Sequence, residues 1–260
     1  MRFLLIVFLF PVPAFAGPIS ILGPLAHDVN ILPGQTHHGA IIVRNDSAEP
    51  VDLVVYQTDY RFFADGSNHY PEPGSLDRSN AGWISYAPPQ FTLASGAKHA
   101  IAWQVTAPHE ETLRGTYWSI LMVEPVGSRF QPHSASPGLH VAAAIRYGVQ
   151  IATTIGSQGS YDLVFDELSA AWKGAEASLH LELENTGEMK LSPSVWVEIF
   201  DLRGGSMGRF GGNRKRIYPA CSAAFDIPLP ALAEGRYTAL IVVDNGDDHV
   251  FGSQLTLRIR

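Results

Sequence analysis

The chain has 260 residues, 46% of them apolar, with 18 basic against 25 acidic side chains and a formal charge of -7. That length holds more than one domain core. The acidic balance excludes a coat for nucleic acid, and the single cysteine excludes an internal disulfide framework.

The chain opens like an export signal. Arg2 supplies a minimal charged region, Phe3 to Phe10 is an apolar run, and Ala14-Phe-Ala16 fits a small-x-small cleavage site. The run is too short to span a bilayer, which takes roughly 20 apolar residues. Residues 1–16 are therefore expected to be removed, taking one positive charge with them and moving -7 to -8. No later stretch is long enough to span, and the terminal Leu255-Thr-Leu-Arg-Ile-Arg reads as a strand. The expected location is the periplasm, with the extracellular side or cell surface as the alternative.

From Gly17 onward one strand pattern is written twice. The first copy has Ala40-Ile-Ile-Val-Arg-Asn, a turn through Pro50 and Val51-Asp-Leu-Val-Val-Tyr. It continues with Ile101-Ala-Trp-Gln-Val-Thr-Ala-Pro and Gly115-Thr-Tyr-Trp-Ser-Ile-Leu-Met-Val-Glu. The second has Leu179-His-Leu-Glu-Leu-Glu-Asn, a turn through Pro193 and Val195-Trp-Val-Glu-Ile-Phe. Ala223-Ala-Phe-Asp-Ile-Pro-Leu-Pro and Gly235-Arg-Tyr-Thr-Ala-Leu-Ile-Val-Val-Asp complete it. Period-two alternation puts Leu179, Leu181 and Leu183 on one face and His180, Glu182 and Glu184 on the other. Tyr117 to Val123 is apolar on both faces, as a central strand would be. Asn245-Gly246 marks a hairpin, because both positions tolerate positive φ. The longest helical candidate, Glu110 to Leu113, is one turn.

The fold class predicted is all-β, two tandem immunoglobulin-like sandwiches after a signal peptide. The first spans 17–155, a Gly/Ser linker spans 156–160 and the second spans 161–260. Two insertions, Asp65 to Gly82 and Gly127 to Gly138, read as exposed loops. Cys221 reads as a buried small hydrophobe.

No catalytic motif is present: no Gly-x-Ser-x-Gly elbow, no phosphate-cradling loop and no His-Glu-x-x-His. A non-enzymatic protein without cofactor or metal is expected. His37-His38 would point to opposite faces of a strand and reads as surface loop. Asp244 to Asp248 lacks the spacing of a calcium loop and reads as a hairpin tip. Asn45-Asp-Ser47 matches a glycosylation acceptor. Trp103, Trp118 and Trp196 read as core. Arg214, Lys215 and Arg216 form an isolated basic run, either a solvated hairpin or a patch for an anionic surface.

The segment assigned a binding role is the long strand Leu139 to Ile151. Leu139, Val141, Ala143, Ile145, Tyr147 and Val149 would share one face, with His140, Arg146 and Gln150 on the other. At a sheet edge such a strand offers unpaired backbone groups to an extended partner segment. Arg146 beside that edge could hold a terminal carboxylate.

Four stretches carry a family resemblance: Ile41-Ile-Val-Arg-Asn, Gln90-Phe-Thr-Leu-Ala-Ser-Gly, Gly115-Thr-Tyr-Trp-Ser-Ile-Leu and Ala144-Ile-Arg-Tyr-Gly-Val-Gln-Ile. On these the chain resembles the periplasmic chaperones of pilus and fimbria assembly, and the related bacterial immunoglobulin-like surface proteins of the WxL-associated type. The resemblance implies binding of an unfinished pilus or other secreted subunit through the edge of the first domain, with an outer-membrane usher as a further partner. Arg146 looks like the basic residue of that family's edge strand. The family's second basic anchor, near the N-terminus, has no counterpart, since Gly17 to Thr36 contains neither Arg nor Lys. The alternative expectation is a cell-surface or cell-wall binding module, with Arg214 to Arg216 as its contact.

Overall fold

The computed structural model describes residues 17–126, 145–173 and 176–259, and the only helix among them is one 3-10 turn at Ala81–Trp83. The first sandwich contains β1 (Ile19–Leu22), β2 (Ala26–Ile31), β3 (Thr36–Asn45) and β4 (Val51–Thr58). After a short hairpin, β5 (Arg61–Phe62) and β6 (Asn68–His69), come β7 (Ile84–Ala87), β8 (Gln90–Leu93), β9 (Lys98–Thr106), β10 (Gly115–Pro125) and β11 (Tyr147–Ile155). One sheet runs β1-β3-β9-β7 and the other β2-β11-β10-β4-β8. Set in chain order, these are the A-B-E-D and G-F-C arrays of an immunoglobulin-like sandwich.

Two chain segments change sheets, and proline marks each crossing. The first leaves β3 after β1, passes Gly23-Pro24 and joins β11 as β2, in parallel. The second leaves β9 after β7, passes Pro88-Pro89 and joins β4 as β8. Proline has no N–H to donate, so it ends one ladder and frees the chain to begin another.

The second sandwich has β12 (Leu163–Lys173), β13 (Glu176–Asn185), β14 (Ser194–Phe200), β15 (Ser206–Gly211), β16 (Ser222–Leu229), β17 (Gly235–Asp244) and β18 (Val250–Ile259). Its sheets run β12-β13-β16 and β15-β14-β17-β18, the same scheme with fewer strands. Leu179, Leu181 and Leu183 face Val195, Val197 and Ile199 across its core, all fully buried or within 1% of it. Burial of each such side chain stabilises by about 1.5–3 kcal/mol. Cys221 lies fully buried in this core, as expected, and burial pushes its thiol up to about 11.

The repeated motif marks equivalent strands: β3 with β13, β4 with β14, β9 with β16 and β10 with β17. The two asparagines that close the first strand of each copy are equivalent in detail. Asn45 Nδ2 donates to the carbonyls of Glu49 and Leu93, both at 2.8 Å, and its Oδ1 accepts from Ser47 N–H at 2.9 Å. Asn185 Nδ2 donates to Met189 and Ile217 at 2.8 and 2.9 Å, and its Oδ1 accepts from Gly187 N–H at 3.0 Å. Both side chains are wholly buried, so Asn45 is a structural staple and not a glycosylation acceptor.

Several expectations need correction. His37 and His38 lie within β3, not in a loop. Trp103 and Trp118 are core residues, but Trp196 is on the outer face of its sheet, with the Arg209 guanidinium 3.6 Å above its ring. The insertion from Asp65 to Gly82 is not simply an exposed loop: it is pinned to the fully buried carboxylate of Asp59. That carboxylate accepts from Gly74 N–H, Leu76 N–H, Ser75 and Ser79. Residues 156–160, expected as a linker, take part in backbone hydrogen bonds to both sandwiches. Gly115 N–H donates to Gln158 O, and Ser160 O accepts from the N–H groups of Glu188 and Met189. The loop expected over Gly127 to Gly138 lies outside the described residues, as do residues 1–16.

Candidate functional site

The strand expected from Leu139 to Ile151 is described only from its later part: β11 begins at Tyr147 and runs on to Ile155. Leu139, Val141 and Ala143 fall outside the described residues. The face assignment holds where it can be followed. Val149 and Ile151 are fully buried in the first core, while Gln150 is on the opposite face.

β11 is not a bare edge along its whole length. β10 pairs with all of it, from Tyr147 opposite Val123 to Ile155 opposite Gly115. On its other side β2 covers only Gln150 to Ile155. The cover begins where Gln150 N–H donates to Leu25 O at 2.9 Å. Among the described residues, Tyr147, Gly148 and Val149 have a ladder partner on the β10 side alone. Because Gln150 N–H faces β2 and backbone groups alternate sides, the N–H and C=O of Gly148 face the uncovered side, open to a further strand.

The side chains around this edge are firmly placed. Tyr147 donates its hydroxyl to Ile19 O at 2.9 Å, tying the edge to β1. Ile145 is 38% exposed. Arg146 is exposed, with one guanidinium nitrogen 3.5 Å from the Tyr56 hydroxyl and its charge 5.3 Å from the Tyr70 ring centre. Tyr56 in turn donates to Glu124 at 2.8 Å, and its burial raises the phenol above its ordinary range. Among the described residues Arg146 forms no ion pair with a carboxylate, which leaves its charge available to an incoming one.

The covered end of β11 runs into a cleft against the second sandwich. The basic run expected on a free hairpin lines this cleft. Arg216 bonds Asp28 of β2 at 2.8 Å, and Lys190 bonds the other oxygen of the same carboxylate at 2.7 Å. Arg216 also donates to the Tyr218 hydroxyl at 3.1 Å, and that hydroxyl donates to Gln150 of β11 at 2.9 Å. Burial pushes the Tyr218 phenol up to about 12, so it stays protonated and keeps donating. Arg214 donates to the carbonyls of Ser192 and Asn245, and Lys215 to that of Ala224. β2 of the first sandwich thus contributes an anion here, and the cations facing it come from the second sandwich.

A second polar joint centres on Glu188. Arg114 Nε reaches both its oxygens at 2.9 and 3.0 Å, and Arg78 approaches at 3.2 Å. These bonds, Arg114 first, hold the carboxyl below the usual range. The approach is close enough to require glycine at Gly115, where φ is +81° and a Cβ would lie 2.4 Å from Glu188 O. Asp28, Lys190, Glu188 and Arg114 escaped sequence reasoning because no local spacing links them. Asp28 and Arg216 are 188 positions apart.

Comparison with known proteins gives structural likeness only. No family model matches the chain, and no curated protein matches it. Among solved structures it is similar to the class 5 fimbriae chaperone CfaA, at 15% identity and a TM-score of 0.47, over 93% of this chain and 99% of that one. It is similar to a chain of the chaperone–tip adhesin complex of CFA/I fimbriae biogenesis, at 14% and 0.47, over 92% and 98%. A third is from the CsuC–CsuE chaperone–tip adhesion subunit complex of Acinetobacter baumannii, at 12% and 0.41, over 91% and 97%. At these identities and TM-scores the likeness fixes neither a family nor a partner for this chain. The assignment of two immunoglobulin-like sandwiches rests on the strand order itself.

Proposed function

We propose that this protein is an exported, non-enzymatic chaperone of two modules, 17–155 and 161–260, joined at 156–160. It binds an extended segment of a surface-appendage or other secreted subunit by adding that segment to β11. The observation that carries this reading is the half-covered edge from Tyr147 to Val149, beside an Arg146 with no carboxylate partner among the described residues. Strand addition draws affinity from main-chain hydrogen bonds and selectivity from alternate side chains. Ile145, Arg146 and Tyr147 supply the described part of that contact, and Leu139, Val141 and Ala143 would extend it.

The wall-binding alternative needs Arg214, Lys215 and Arg216 as a free patch. Arg216 already bridges to Asp28 of the first sandwich, and Arg214 and Lys215 donate to carbonyls of their own sandwich, which favours a structural role for the run. Co-purification from periplasm tests the choice. A subunit should come down with the wild type and be depleted with Arg146→Glu. Capture that ignores Arg146 and depends on the basic run would transfer the assignment to the wall-binding reading.

A further inference from the structure

The outer face of the sheet β12-β13-β16 brings one imidazole and three carboxylates together. Because Leu179, Leu181 and Leu183 turn into the core, His180 and Glu182 must face outward. Asp226 is directly across from His180 on β16, and its Oδ1 is 2.7 Å from His180 Nδ1. Glu182 Oε1 is 3.4 Å from the other ring nitrogen, Nε2. Glu167 of β12 completes the group, and one ligand atom each from Glu167, His180 and Glu182 falls within 4.8 Å of the others.

The backbone is bent to make this meeting. The β12–β13 register shifts between Phe165, opposite Leu183, and Glu167, opposite Glu182. Asp166 is the extra residue of a bulge. In unbroken register Asp166 would pair with Glu182, and Glu167 would pair with Leu181 and face the core. Bulges of this kind re-aim side chains beside sites. Here the result is two glutamates in directly opposed positions beside the His180 ring, like charges that a neighbouring cation relieves.

We propose that His180, Glu182 and Glu167 form a divalent transition-metal site, with Zn2+ the ion its donors suit, and that Asp226 positions the imidazole. Asp226 accepts from Nδ1–H, which fixes the tautomer and leaves the Nε2 lone pair facing the glutamates, the carboxylate–histidine–metal arrangement. Two ligands about 2.0–2.1 Å from a tetrahedral Zn2+ are about 3.4 Å apart. His180 Nε2 and Glu182 Oε1 already have that separation. Glu167, exposed on its strand, accepts from the Ser169 hydroxyl at 3.0 Å and would bring one carboxylate oxygen in from within 4.8 Å. Imidazole with carboxylate excludes a preference for Mg2+ or Ca2+, which take all-oxygen shells. Three protein ligands on an open face leave the fourth position to water or a donor from another molecule.

The site is separate from β11 and from the cleft, so it can be tested apart from partner binding. Untagged protein, stripped with chelator, is titrated with ZnCl2 by calorimetry. One equivalent should bind. His180→Ala should weaken it at least tenfold, Glu182→Gln and Glu167→Gln should each weaken it, and Asp226→Asn should cost between 10- and 100-fold. His37→Ala with His38→Ala should leave it unchanged, and circular dichroism should show every variant folded. Absence of binding at millimolar Zn2+, or full binding by folded His180→Ala, overturns the proposal.

Discussion

Trp118 of the first sandwich and Tyr218 of the second stack face to face, their ring centres 4.7 Å apart and their planes 6° from parallel. The indole N–H of Trp118 donates to Tyr60 O at 2.7 Å, and the Tyr218 hydroxyl reaches back to Gln150 on β11. Both rings are buried in the cluster that contains Leu181, Ile217 and Phe225. The core of the second module therefore continues onto the outer face of the first, and the two should unfold as one unit.

Tyr218→Phe tests that coupling. The ring, and hence the stack, stays, while Gln150 and Arg216 lose a shared partner. An unsatisfied buried polar group costs about 1–3 kcal/mol. The urea midpoint should fall accordingly, with a single transition preserved. Trp118→Ala removes the stack itself and should cost about 3–5 kcal/mol. Two resolved transitions in this variant, against one in the wild type, would identify the stack as the coupling element.

Asn45→Ala and Asn185→Ala each delete two donated bonds and one accepted from the backbone at corresponding places. Each substitution also strands buried carbonyls, so each should lower stability by about 2–4 kcal/mol. The two losses should be alike, as measured by urea unfolding. A large inequality would mean that the repeat is equivalent in pattern but not in energetics.

Much of this was legible in advance, and for a definite reason. Alternation reports which side chains enter a core, so β13, β14 and the apolar β10 could be read directly, as could the duplication that Asn45 and Asn185 anchor. Two kinds of fact were hidden. Trp196 obeys the alternation that Val195 and Val197 set, which turns it outward although a place in a strand pattern suggested core; Arg209 covers the ring instead. The joint between modules was invisible, because Asp28, Gln150, Lys190 and Arg216 meet only after both sandwiches have formed. The partial cover of β11 by β2 is of the same kind, since a parallel pairing across more than 120 positions leaves no local trace.

The joint at Glu188 should be sensitive to acid. Its folded pKa is lowered by Arg114 and Arg78, so its contribution is complete above the ordinary glutamate value, about 4.3. That contribution disappears as the pH falls through the lower folded value. The pair is partly solvated, so the effect should be under about 1 kcal/mol. Urea midpoints of wild type and Glu188→Gln should differ at pH 7 and converge as the pH falls below the lowered folded value. A difference that persists in acid would assign the loss to the hydrogen bonds from Ser160 N–H and Arg114 rather than to charge.

Cys221 should be inert while the protein is folded. A thiol pushed up to about 11 is almost entirely protonated at pH 8, and only the thiolate attacks an aromatic disulfide reagent. The side chain is also fully buried. Labelling at pH 8 should therefore be slow in buffer and complete within minutes in denaturant. Fast labelling of the native state would mean that the β15–β16 connection opens readily.

The edge of β11 makes the sharpest demand. Gln150 N–H faces β2, and backbone groups alternate sides along a strand, so Gly148 N–H faces the same, uncovered side. Gly148→Pro would delete that donor and leave the hydrogen bonds to β10 intact, a setting in which a strand tolerates proline. A side chain there meets Ile120 at 3.1 Å and Met122 at 3.3 Å, contacts that need a shift of a few tenths of an ångström. The variant should fold, with a melting temperature within a few degrees of the wild type, yet lose association with an extended subunit segment. Arg146→Glu should weaken the same association in a salt-dependent way, because it acts through charge. If Gly148→Pro binds normally while Arg146→Glu does not, the partner is held by side chains and strand addition is not the mechanism.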